Sequence, residues 1–193
     1  MRLFVALDID DAVRERITRF LEGVREFAPD ARWVQPESLH VTLKFIGEQP
    51  EAKLERIKNA LHGARCESTT MKFCGYGFFP TPGSARVFWI GIEADGNLAK
   101  LANLVEVGLQ PFGVEKERHG FSPHLTLARA GSGAPQRRRG DYTNRSFQRL
   151  MDKLKSMPTP DFGTITAHEF FLYQSKLSSG GPKYIHLERF PLH

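Results

Sequence analysis

His40-Val41-Thr42-Leu43 and His124-Leu125-Thr126-Leu127 spell one pattern twice, each inside an apolar stretch. Such stretches favour extended backbone, in which successive side chains alternate between two faces. His40 and Thr42 therefore project to one side while Val41 and Leu43 enter the core; His124 and Thr126 behave alike. A lone His-x-Thr reads as readily as a satisfied or merely exposed histidine. Two copies in matched strand contexts point to one shared site. Paired imidazoles beside paired hydroxyls suggest an acid and a base.

Working outward, the chain alternates strands with helices. Residues 2–8 open as a strand, and Asp10 or Asp11 can cap a helix whose Val13, Ile17, Phe20, Leu21, Val24 and Phe27 fall at helical spacing. Gly47 and Pro50 break the chain after the first motif, and Leu54, Ile57 and Leu61 mark a second helix. Residues 71–79 and 86–93 read as a hairpin joined by Pro80-Thr81-Pro82-Gly83. Leu98, Leu101, Val105 and Leu109 restore the helical period before Phe121-Ser122-Pro123 leads into the second motif. Residues 131–143 read as a loop holding Arg137-Arg138-Arg139, and Asn144 or Ser146 can cap a short helix carrying Phe147, Leu150, Met151 and Leu154. Two strands, 163–177 and 183–190, close the chain. This grammar predicts an α+β duplication, and no disordered linker separates its halves. The motif strands should meet near a common groove.

Composition sets limits on function. A chain of 193 residues, 40% apolar and 25% charged, can bury a core without staples. Cys66 and Cys74 form no Cys-x-x-Cys pair, and residues 1–30 hold no long apolar run of the signal or anchor type. The expected setting is a reducing cytoplasm, away from membranes. A net charge of +5 and a pI near 9.4 favour phosphate-bearing partners. Neither His-Glu-x-x-His nor a zinc knuckle occurs, and a Gly-x-x-x-x-Gly-Lys-Ser/Thr loop is missing. No metal, nucleotide or other cofactor is expected.

The chain resembles the 2H phosphoesterases, within them the RNA 2′,3′-cyclic phosphodiesterases also called 2′-5′ RNA ligases. The resemblance spans nearly all of it, carried by Arg2-Leu3-Phe4-Val5-Ala6-Leu7, by Arg32-Trp33-Val34 with His40-Val41-Thr42-Leu43-Lys44-Phe45-Ile46-Gly47, and by Ser122-Pro123-His124-Leu125-Thr126-Leu127-Ala128-Arg129. It implies one domain over 1–193 made of two interleaved lobes with pseudo-two-fold symmetry. Two mainly antiparallel sheets would face a central cleft, with helices outside. It also implies metal-free hydrolysis of cyclic phosphodiesters at RNA ends, by a chain with no obligate protein partner. His40 would be the proton donor to the leaving oxygen, and His124 the proton acceptor that activates water. Arg129 matches the arginine after the family's second motif and would clamp phosphate through its planar fork.

The residue types suit that chemistry. Imidazole's ordinary pKa of about 6.5 lets one ring be neutral and its twin cationic near neutrality, although a quasi-symmetric site does not say which. Thr42 and Thr126 can donate to non-bridging phosphate oxygens as charge builds. Strict alternation turns Arg129 away from His124 and Thr126, so the strand must end or bulge near Ala128. Lys44 shares parity with His40 and Thr42; it could add positive potential to the cleft or be a solvated strand-end lysine.

Other residues carry less. His62, His119, His168, His186 and His193 lack a partnered motif and read as surface or structural. Phe4, Trp33 or Tyr184 could stack a nucleobase, although most rings fill cores. Two alternatives remain beside the RNA-end enzyme: the same chemistry on small cyclic nucleotides or tRNA-splicing by-products, and a noncatalytic RNA-binding module built on 137–145.

Overall fold

The computed structural model describes residues 1–131, 147–179 and 181–193. The expected arginine loop and the Asn144 or Ser146 cap lie outside the described residues. Strand β1 (Arg2–Asp8) leads into helix α1 (Asp11–Val24), short strand β2 (Arg32–Trp33) and motif strand β3 (His40–Glu48). Helix α2 (Leu54–His62) precedes the hairpin β4 (Thr69–Phe79) and β5 (Val87–Ala94), then α3 (Gly96–Leu109) and motif strand β6 (His124–Arg129). Helix α4 (Gln148–Lys155) and strands β7 (Asp161–Ala167), β8 (Glu169–Ser178) and β9 (Gly181–Pro191) finish the chain.

The strands form two antiparallel sheets, ordered β3-β1-β8-β9 and β2-β6-β5-β4-β7. Leaving β2 aside, the orders superpose motif strand on motif strand: β3 on β6, β1 on β5, β8 on β4 and β9 on β7. In each half a helix joins the motif strand to its neighbour, α1 between β1 and β3, α3 between β5 and β6. The helices cross over: α1 packs on β7 of the second sheet, while α3 packs on β3 of the first. The duplication is thus interleaved, and β3 lies against β6 where the sheets meet.

Local chemistry explains these elements. Asp10, not Asp11, caps α1 by accepting the Val13 N–H at 2.7 Å, and Val13, Ile17, Leu21 and Val24 form its buried stripe. Each such side chain contributes roughly 1.5–3 kcal/mol on burial. β1 is central and apolar on both faces. Leu3, Val5 and Leu7 enter the main core, while Phe4 and Ala6 join Phe171 and Tyr173 on the cleft side.

One expectation is corrected. Residues 163–177 are not one strand but the end of β7 and most of β8, because the chain passes between sheets at exposed His168. Burial alternates through Phe162, Ile165 and Ala167, then becomes continuous over 170–173, where both faces of β8 are covered. β-propensity is high on both sides of that switch, so composition alone does not reveal it. Among the described residues no helix is long and apolar enough to cross a membrane.

Candidate active site

Both motif strands carry the same irregularity at the same motif residue. Opposite β3, Ala6 pairs with Thr42 and Val5 with Lys44, leaving Leu43 extra; opposite β6, Trp89 pairs with Thr126 and Phe88 with Ala128, leaving Leu127 extra. Each leucine is a β-bulge that reverses the alternation beyond it. Leu43 and Lys44 are consecutively buried, as are Leu127 and Ala128. Phe45 and Arg129 then return to the face of their histidine. The geometric condition on Arg129 is met, and it lines the cleft with Thr126, Thr42 and His40.

The same bulge corrects the expectation for Lys44. It does not share the cleft with His40 and Thr42, because beyond Leu43 its parity is that of core-facing Val5. Lys44 is only 2% exposed, and its ammonium donates to the Glu115 carbonyl at 2.6 Å and reaches Glu106 and Glu117 at 3.4 Å each. The residue ties α3 and the following loop to β3.

The two imidazoles are held alike. His40 Nδ1 lies 2.7 Å from the Ser38 carbonyl and His124 Nδ1 lies 2.8 Å from that of Ser122. A carbonyl only accepts, so each Nδ1 carries the proton and each Nε2 is left for chemistry. Aromatic rings brace both: Phe4 and Tyr184 at 4.9 and 5.1 Å from His40, Phe79 at 5.0 Å from His124 with Trp89 beyond it. Burial pushes both histidines below their ordinary pKa; their serine carbonyls oppose this, and the Arg129 guanidinium reinforces it at each ring. Asp8 opposes the shift at His40 alone.

The cleft encloses about 610 Å³, a usual size for a small-molecule site. Arg2 and Arg32 join Arg129 on its walls, and no carboxylate lines it among the described residues. Such a surface suits an anion. Sequence reasoning missed Arg2, Arg32 and Phe45; the bulge hid the last. It also passed over a network behind His40, where the Tyr173 hydroxyl donates to Asp8 and accepts from His186 Nε2 at 2.7 Å. Trp33 does not enter the cleft: its Nε1 donates to Ala28 at 3.0 Å and its ring meets Phe88. His62 and His168 lie elsewhere, beside Glu188 and Ser68.

Twin imidazole-and-hydroxyl strands beside an arginine suit the binding of a phosphate ester, and so a phosphoesterase. The family model for LigT-like phosphoesterases matches residues 7–89, which include the first motif. An RNA 2′,3′-cyclic phosphodiesterase of Archaeoglobus fulgidus is 36% identical over 190 residues, covering 98% of this chain and 99% of that one. One from Thermus thermophilus is 34% identical over 202 residues, covering 100% and 90%. A crystal structure of a Thermus thermophilus protein aligns with TM-score 0.76 at 31% identity, over 99% of this chain and 97% of that one. Escherichia coli LigT complexed with 3′-AMP aligns with TM-score 0.77 at 27% identity over the same shares, 99% and 97%. The chain belongs to the LigT-like family of 2H phosphoesterases.

Proposed function

We propose that this enzyme hydrolyses the 2′,3′-cyclic phosphate at an RNA end to a 2′-phosphomonoester, by histidine acid–base chemistry without a metal. The observation that carries the reading is the pair of His-x-Thr strands, bulged alike, which bring His40, Thr42, Thr126 and Arg129 to one cleft with no carboxylate among its described lining residues. Curated relatives named RNA 2′,3′-cyclic phosphodiesterase, similar over their full length, support the substrate class.

His124 is the base. Its free Nε2 takes a proton from water as the oxygen attacks phosphorus. His40, protonated at Nε2, donates that proton to the departing 3′ oxygen as the P–O3′ bond breaks. The new P–O bond replaces the broken one, and the proton count balances across the two rings. Each transfer typically contributes about 10²–10⁴-fold. Thr42 and Thr126 donate to the non-bridging oxygens, and Arg129 holds them from one side. Asp8, on the strand beside His40, favours imidazolium there and so supports the donor role for that ring. In the reverse, 2′-5′ ligating direction the two rings exchange roles.

The test is incubation with 2′,3′-cyclic-ended RNA in the presence of a chelator, followed by location of the product phosphate. A 2′-phosphate is expected, with His40→Ala and His124→Ala each folded and at least about 10²-fold slower. A 3′-phosphate, loss of turnover in chelator, or full turnover by either variant overturns the reading. Comparing the RNA with cyclic mononucleotides separates it from an enzyme of small nucleotides. We place the working enzyme in the cytoplasm as a monomer.

A further inference from the structure

One carboxylate, Asp8, lies between two imidazoles. His40 is its partner in the β1–β3 ladder, and His186 reaches it from β9, on the far side of β8, with Nε2 3.2 Å from its second oxygen. The Tyr173 hydroxyl of β8 donates to Asp8 and lies 2.7 Å from the same His186 nitrogen. We propose that Tyr173 is a positioning residue for the proton donor: it takes the His186 hydrogen bond on its own oxygen and so keeps the Asp8 charge on His40. The inference rests on the acid role given to His40 above.

Tyr173 is held for that task. It is 6% exposed, and its ring stacks on Phe4 at 4.8 Å and 2°, with Phe4 in turn 4.9 Å from His40. Packing therefore fixes the ring independently of its hydroxyl, and the oxygen is delivered to one place. Burial pushes the phenol above its ordinary pKa; the Asp8 hydrogen bond and charge reinforce this, and Arg14 opposes it. The phenol stays protonated, and the Asp8 carboxylate accepts its hydrogen. His186 is held as firmly, lying on Phe171 with ring centroids 4.3 Å apart at 27°. Its one Nε2–H cannot serve two oxygens fully, and the phenol is the nearer.

The remaining charged or titratable groups near this chain do not repeat its action. Arg14 and Glu37 line the small cavity shared by Asp8, His40, Tyr173, Tyr184 and His186, and the Arg14 guanidinium is engaged by the Pro36 and Ile9 carbonyls. Arg129 acts on both motif histidines alike. Around His124 the bracing rings are Phe79 and Trp89, which bring no charge. Asp8 with its tyrosine is thus particular to the half that carries His40.

The test reads His40 and His124 by NMR titration of their ring protons in the free enzyme, which needs no turnover. Tyr173→Phe keeps the stack on Phe4 and loses only the hydroxyl. His186 then takes Asp8 directly, so the His40 pKa should fall while that of His124 stays at its wild-type value. Adding Tyr173→Phe to Asp8→Asn should lower His40 no further than Asp8→Asn alone, because both remove the same charge from it. Tyr173→Phe with His186→Phe removes the rival and keeps a ring on Phe171, so His40 should return toward its wild-type value. The alkaline limb of kcat/KM should follow His40 through the series. An unmoved His40 in Tyr173→Phe, shifts that add in the Asp8 double variant, or no recovery on loss of His186 overturns the positioning role while leaving the hydrolase standing. His40 shifts that appear as expected, with an alkaline limb that ignores them, overturn instead the donor assignment on which the role rests.

Discussion

Asp8 stands directly opposite His40 in the β1–β3 ladder, while His124 is paired with Gly91 and has no acidic neighbour among the groups that shift it. The two halves share a fold and a motif but not this charge. Asp8 is itself held by Tyr173 and His186, whose Nε2 is 3.2 Å from its second oxygen. At His40 alone an acidic charge opposes the burial that lowers the pKa, and a proton donor gains from that opposition.

Replacing Asp8 by Asn removes a charge that raises the His40 pKa, so that pKa falls further. A donor must be protonated, so the alkaline limb of the kcat/KM profile should move to lower pH. The acidic limb should stay. A profile whose acidic limb moves instead would assign His40 as the base and reverse the proposed roles.

Arg129 lowers both histidines after burial has done so. The free enzyme should therefore show a bell centred below about pH 6.5, its two apparent pKa values belonging to the pair. Arg129→Gln should shift both limbs upward and reduce kcat by about 10²–10³-fold. Arg129→Lys keeps the charge but loses the fork, so its limbs should stay near wild type while its rate falls. Unmoved limbs in Arg129→Gln would show that the guanidinium does not act on the rings.

How much of this was legible beforehand follows from range of interaction. The His-x-Thr pairs, the helix stripes and the β4–β5 hairpin are local periodicities, and they read correctly. Arg129 and Lys44 were both judged by strict alternation. For Arg129 that rule exposed a conflict that a bulge resolves; for Lys44 it raised no conflict and so misled, because the identical bulge lies between Thr42 and Lys44. A bulge is a cross-strand register event, set by what faces the strand, and a single segment does not encode it visibly. The sheet change at His168 and the Asp8–Tyr173–His186 network join residues distant in sequence and were hidden for the same reason.

Lys44→Met tests the reassignment of that lysine. Removing the ammonium strands Glu106, itself 16% exposed, and should cost about 3 kcal/mol, seen as a lower midpoint in urea unfolding. Below that midpoint kcat/KM should remain within about twofold of wild type, since Lys44 touches no wall of the cleft. A variant of normal stability that loses activity would return Lys44 to the site.

Gly77 supports His124 at one remove. A Cβ added there would lie 2.1 Å from the Trp89 ring, and Trp89 packs on Phe79 at 4.9 Å, which in turn sets its edge against His124 at 5.0 Å. The indole is wedged between the β4 backbone and that ring, so it has to move as a body. Gly77→Ala should cost roughly 1–3 kcal/mol through overpacking. It should also lower kcat more than it raises KM, because a base displaced by a fraction of an ångström loses its line to water while the phosphate grip from Arg129 persists. The two effects are separable in Gly77→Ala combined with Trp89→Phe, whose smaller ring gives room for the methyl. Recovery of kcat in that double variant identifies the wall as a positioning element; stability recovered without kcat would show that it serves packing alone.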